Sequence, residues 1–317
     1  MQSLYNNSFA LIIGVGNDLP ITVKDAEAFS AILKDQNRCA FASKNVMTLT
    51  ENKATKKNII DCLDTIASRA NEESTVIIYF SGHGTENPDF YLIPNDYDAN
   101  DINNSSVSAK MFSSKIKSIQ SKKIIILLDC CHAGGQAHFK DIKAPLPSTI
   151  LEKFQESSGQ VIIASSRKNE VSWTDIPYSI FTNALMEAFA GYGSFEEDGF
   201  VRIIDLAFYI NRKVVERTGD KQHPIMKIKD ITDNFVIAWY AAGAKTVIPF
   251  STNIESSNVR IIDDNALHRR KILESYRESL LLIEIRISEY INYTDVPMQL
   301  LKSKLNIEKK IVEWENI

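Results

Sequence analysis

The chain of 317 residues has only four cysteines, Cys39, Cys62, Cys130 and Cys131, and none stand in a CxxC pair. That is too few for a disulfide framework, and the simplest setting is a reducing, cytoplasmic one. No apolar run approaches the roughly 18 residues that a membrane span needs. The stretch Met1-Gln2-Ser3-Leu4-Tyr5-Asn6-Asn7 lacks the positive and apolar segments of a secretory signal. An excess of positive charge is missing too: 36 basic residues face 40 acidic ones, a net charge of −4. A protein that coats nucleic acid carries a basic stripe, so neither nucleic acid nor membrane is an expected partner. There are no repeats and no low-complexity tract.

What remains is the composition of a globular chain, 44% apolar and 24% charged. Four short runs are rich in Ile and Val: Phe9 to Val15, Val76 to Phe80, Ile124 to Leu128 and Val161 to Ala164. Such runs suit strands buried on both faces of a parallel sheet. Helical spacing fills the intervals at 23–34, at 56–68 behind a Thr55 cap, at 179–190 and at 203–216. Alternating strands and helices predict βαβ units with right-handed crossovers. Ligands of such sheets sit beyond the carboxyl ends of the strands. Residues 90–96 read as a short peripheral hairpin or strand, 96–107 as polar and turn-rich, and 136–158 as a long exposed loop.

The pattern changes near residue 240. The expected division is a domain over 1–240, a linker over 241–262 and a helical hairpin over 263–317. Its first helix, 264–292, places Leu273, Tyr276, Leu280, Ile283, Ile287 and Tyr290 on a heptad stripe. Pro297 interrupts, and 298–314 form the second helix. Over 241–317 there are 11 basic and 11 acidic residues, a balance that fits neither a membrane-binding nor a nucleic-acid-binding tail. The hairpin either packs on the core and restrains it, or binds an activating partner or a second copy.

Two of the apolar strands end in reactive residues, Ser81-Gly82-His83-Gly84 and Asp129-Cys130-Cys131-His132-Ala133-Gly134. Strand side chains alternate, so Ser81 shares a face with His83, and Asp129 with Cys131, while Cys130 faces the core. If the strands are neighbours, all four groups converge. A cysteine beside a histidine supplies a nucleophile and an acid–base partner. Cys131 is the expected nucleophile and His83 the expected base, with His132 its nearest rival. Backbone N–H groups of Gly84 and Cys131 are the expected oxyanion hole. Cys39 and Cys62 read as core, and His138, His223 and His268 as surface or structural residues. Zinc on Cys130, Cys131, His132 and His83 is disfavoured, because adjacent ligands lack the usual spacing, so no metal site is expected.

These motifs resemble those of the caspase-like cysteine peptidases, and the metacaspase branch more than the animal caspases. The interval from His83 to Cys131 is 48 residues (131 − 83), near the 50 or so of such enzymes. Phe9 to Gly14, Lys24-Asp25-Ala26, Ala54-Thr55 and Ala164-Ser165-Ser166 add to the resemblance, which covers roughly 8–240. It implies an α/β caspase-like sandwich: a mostly parallel central sheet flanked by helices, followed here by a C-terminal helical extension. By motif position it also assigns Cys131 as nucleophile. It implies an acidic S1 pocket of Asp25, Ser81 and Asp129 for a protein substrate with Arg, or Lys, at P1. Arg should outrank Lys, because a guanidinium pairs bidentately with a carboxylate. The resemblance implies no required cofactor, with calcium activation left open as the alternative. Where metacaspases often carry extra aspartates this chain has Arg167-Lys168-Asn169-Glu170, which weakens any carry-over of calcium activation. The loop holding Lys140, Lys143 and Lys153 is a candidate for autoprocessing of a zymogen. The pairing of such a core with C-terminal helices resembles prokaryotic proteins of cell-death and antiviral defence pathways. A catalytically silent scaffold that binds partners through its helices is the alternative.

Overall fold

The computed structural model describes residues 6–36, 38–86, 89–130, 160–167, 170, 172–173, 177–196, 198–229, 233–240, 280, 283 and 298–315. The chain divides into two compact units, Met1–Phe250 and Ser251–Ile317. In order, the first contains β1 (Ser8–Gly14), α1 (Ile21–Lys34), β2 (Val46–Thr50), α2 (Lys56–Arg69), β3 (Thr75–Gly82), β4 (Gly84–Glu86), β5 (Phe90–Leu92), α3 (Ile102–Ser105), β6 (Val107–Ser108), α4 (Ala109–Lys117), β7 (Lys123–Cys130), β8 (Gln160–Ala164), α5 (Ile180–Phe189), β9 (Phe200–Arg202), α6 (Ile203–Thr218), β10 (Ile225–Lys229) and β11 (Val236–Trp239).

Six strands form the central sheet in the order β10-β8-β7-β3-β1-β2. All neighbours run parallel except β10, which is antiparallel to β8. The four expected apolar strands are its centre, and β2 and β10 close its edges. Alternation divides the core in two. Ile12, Tyr79, Leu127 and Ile163 face α1, α5 and α6. Leu11, Ile78, Ile126 and Ile162 face α2 and α4. Each such side chain, removed from water, contributes about 1.5–3 kcal/mol. The α2 cap is the one read from the sequence, with Thr55 Oγ1 accepting from the Asn58 N–H at 3.2 Å.

One glycine sets how closely α1 approaches the sheet. A Cβ on Gly14 would lie 2.2 Å from the Thr22 carbonyl oxygen. With only hydrogen there, the first turn of α1 lies against the end of β1. Asp25, one turn further along, is thereby carried under the neighbouring strand ends.

Peripheral to the main sheet, β4, β5 and β6 make a small antiparallel sheet, and β9 and β11 a second. The expected strand near 90–96 is β5. The segment 96–107, read as turns, also holds the one-turn helix α3 and the start of β6. In the second unit, α7 (Met298–Glu315) is the expected final helix. Leu280 and Ile283 are helical and half-buried. The rest of 264–292, the proposed linker and the loop 136–158 lie outside the described residues. Among the described residues, no helix is long and apolar enough to cross a membrane.

Candidate active site

The carboxyl ends of β3 and β7 meet side by side. Ser81 lies opposite Asp129 in the register, and Gly82 opposite Cys130. Ser81, Asp129 and, from α1, Asp25 are all fully buried. They occupy the α1/α5 side of the sheet. Cys130, on the opposite side, joins the α2/α4 core and is a free thiol. Cys131 and His132 lie outside the described residues.

The N-terminus of α5 closes over the acids. Its N-cap Ser179 donates its backbone N–H to Asp25 Oδ1 at 3.0 Å and its hydroxyl to Asp129 Oδ2 at 2.5 Å. The same hydroxyl oxygen accepts from the Thr182 N–H at 2.9 Å, as an N-cap does. Ser172 donates to Asp129 Oδ1 at 3.0 Å, and Thr182 reaches Oδ2 at 3.4 Å. Two carboxyl groups thus face the positive end of a helix dipole. Gln222 holds Ser172 from behind. Its amide donates to Ser172 Oγ at 3.2 Å and to the Ser165 carbonyl at 2.8 Å, and its oxygen accepts from the Trp173 N–H at 2.7 Å.

This burial has an electrostatic cost. Loss of water, and then the charge of Asp129, push the Asp25 carboxyl up to about 8, against the pull of its Ser179 hydrogen bonds. Near neutral pH Asp25 is therefore protonated. Among the described residues, Asp25 Oδ2 and Ser81 Oγ have no close hydrogen-bond partner, although the Ser81 hydroxyl lies near enough to help pull the Asp25 carboxyl down. Buried polar atoms left in this state call for a further polar partner.

A stability prediction follows. The folded-state pKa of Asp25 exceeds its unfolded value of about 3.9, so the unfolded chain releases its proton first and stability falls as pH rises from about 4 to about 8. Asp25→Asn removes that loss. In thermal unfolding, the variant should gain on wild type between pH 5 and pH 8.5. The gain should reach a few kcal/mol, since one pKa unit is about 1.4 kcal/mol. An equal difference in Tm at both pH values would contradict the assignment.

His83 sits in the turn between β3 and β4, where strand alternation no longer applies. Its Nε2 lies 3.1 and 3.0 Å from the two carboxylate oxygens of Asp18, in the loop between β1 and α1. Gly84 opens β4 opposite Leu92, and a Cβ there would lie 2.5 Å from the Phe90 ring. The structure thus brings Asp25, Ser81 and Asp129 together and sets His83 and Gly84 at the end of the same strand. Asp18, Ser172, Ser179, Thr182 and Gln222 were not anticipated. For Asp18 the available signal was its place just past the carboxyl end of a central strand; for Ser179 it was a serine directly before a helical pattern. His223, expected to be structural, bridges Glu170 and Asp220 at 2.8 and 3.0 Å. Among the described residues, no group of three or more His, Cys, Asp or Glu side chains is arranged to hold a metal ion.

A helix-flanked, mostly parallel sheet with a histidine after one central strand, and an aspartate and a cysteine ending the next, is a fold of the cysteine-peptidase type. The chain belongs to the caspase domain family: the model of the Peptidase C14 caspase domain matches residues 7–236. A comparison with curated proteins gave no match. Among solved structures, protein GSU0716 from Geobacter sulfurreducens matches with a TM-score of 0.50 and 16% identity, covering 75% of this chain and 98% of that one. That likeness is one of fold.

Proposed function

We propose that this chain is a cysteine endopeptidase that cleaves after Arg, and after Lys less well, with Cys131 as nucleophile and His83 as acid–base group. The observation that carries the reading is the buried acidic pair Asp25–Asp129, with the buried Ser81 hydroxyl beside it, directly under the carboxyl ends of β3 and β7. A cation supplies what these groups lack, and a guanidinium offers five N–H donors in a planar fork.

In the proposed reaction, His83 takes the proton of the Cys131 thiol, and the sulfur attacks the carbonyl carbon after the basic residue. The carbonyl electrons move to oxygen, which accepts hydrogen bonds from the N–H groups of Gly84 and Cys131. Collapse breaks the C–N bond as His83 returns its proton to the departing amine. Water, deprotonated by His83, then attacks the thioester and releases acid and thiol.

A fluorogenic peptide panel tests this. The expected order at P1 is Arg above Lys, with Asp near background. Entry of a cation displaces the proton held by Asp25, so KM for the Arg substrate should fall between pH 6.5 and pH 8.5. Preference for Asp at P1 would remove the acidic-pocket reading, and absence of turnover on every peptide would remove the peptidase.

A further inference from the structure

We propose that Asp18 is the positioning residue of His83: it accepts the Nε2–H of the imidazole and leaves proton exchange with the nucleophile and the leaving amine to Nδ1. The proposal rests on the peptidase reading above, and it adds a third member that the Cys–His pair does not include.

The geometry is direct. Both Asp18 oxygens lie within 3.1 Å of Nε2, and the two side chains are 25% and 13% exposed. An ionised carboxylate is an acceptor only, so the ring proton of a neutral His83 belongs on Nε2. The lone pair of the neutral ring then belongs to Nδ1. When Nδ1 takes the thiol proton, the resulting imidazolium keeps its Nε2–H on Asp18, and the electron pair stays on sulfur. When Nδ1 gives the proton to the amine, the neutral ring returns to the same tautomer.

The loop that carries Asp18 is held from several sides. Gly16 and Asn17 adopt successive left-handed conformations, φ +75° and +54°. The Leu19 N–H closes the turn onto the Gly16 carbonyl at 2.9 Å. Thr22 Oγ1 donates to the Leu19 carbonyl at 2.8 Å and accepts from the Gly16 N–H at 2.9 Å. From the far side, Asn95 Nδ2 donates to the Val15 carbonyl at 3.0 Å and to Asn17 Oδ1 at 2.8 Å, while Asn17 Nδ2 donates to the Asn95 carbonyl at 3.2 Å. Finally, the Val15 N–H bonds the Ser81 carbonyl at 3.0 Å, two residues before His83. Both members of the Asp18–His83 pair therefore hang from one junction of β1 and β3. Asn is among the non-glycine residues that adopt the left-handed conformation most readily, so the turn is fixed by these bonds without strain.

Nitrogen-15 NMR of the full chain tests the tautomer without reference to activity, with the His83 ring signals assigned by comparison with His83→Gln. Wild type should show the proton of the neutral ring on Nε2, and Asp18→Ala should move part of the population to Nδ1. Finding the proton on Nδ1 in wild type would overturn the proposal. Kinetics on the Arg substrate give the second arm. Asp18→Asn should lower kcat by about 10²–10⁴-fold, as misplacing the tautomer does in a hydrolytic triad, with KM within threefold. Asp18→Glu should recover at least tenfold of that loss. A kcat for Asp18→Asn within threefold of wild type would also overturn it. If wild type cleaves no peptide, the peptidase reading fails by itself and the NMR result alone decides the role of Asp18.

Discussion

Cys131→Ala and His83→Ala should each reduce cleavage of an Arg-P1 peptide to background, a loss on the order of 10⁴-fold or more, as for members of a catalytic unit. Cys130→Ala should retain most activity. The contrast between two neighbouring cysteines has a structural basis. Cys130 is packed with Phe80, Leu128 and Ala164 on the α2/α4 side of the sheet. Burial, and then the charge of Asp129, push its thiol far above the usual range. A thiol held neutral is no nucleophile. Replacing it with alanine removes one buried sulfur, with a cost on the order of 1 kcal/mol and no effect on charge. Single-turnover assays on the three variants measure this directly. If Cys130→Ala were inactive and Cys131→Ala active, the proposed assignment would be refuted.

Asp129→Asn should lower kcat/KM for the Arg substrate by roughly 10²–10³-fold, the effect of removing one member of a desolvated charge pair worth about 2–5 kcal/mol. Asp129 is the more demanding of the two acids because hydroxyls of Ser172, Ser179 and Thr182 all reach it. An amide replaces one accepting oxygen with an N–H donor, so at least one of these hydroxyls must switch from donating to accepting. The loss should appear chiefly in KM, since the reacting bond is not touched. A thermal melt run on the same sample separates this from unfolding: a folded variant that keeps a third or more of wild-type kcat/KM would remove Asp129 from substrate recognition.

The centre of the fold was readable because its physics is local. In β1, β3, β7 and β8 nearly every residue is buried, so a continuous apolar run marks each strand. The edges were not read. In β2 only Val46 and Leu49 are buried, while Met47, Thr48 and Thr50 are half-exposed, and Lys227 and Lys229 break up β10. Edge strands face water along one side and need less apolar surface. The acidic cluster was legible only through the motifs that carry Asp25, Ser81 and Asp129. Its hydroxyl donors come from residues more than 40 positions beyond Asp129, and no period or spacing links them to it. Asp18 belongs to a turn of three polar or flexible residues, a pattern that looks like any loop until the end of β3 is placed beside it.

The side-by-side pairing of β3 with β7 also determines when the floor of the site can be lost. These strands lie at the middle of the sheet, with helices on both faces. Amides in such positions exchange with solvent chiefly through opening of the whole domain, whereas loops open at far smaller free energies. The carboxylate floor therefore has the lifetime of the native state itself. Any fast regulation of this protein has to act through the segments around that floor, because nothing short of global unfolding parts the two strands beneath it.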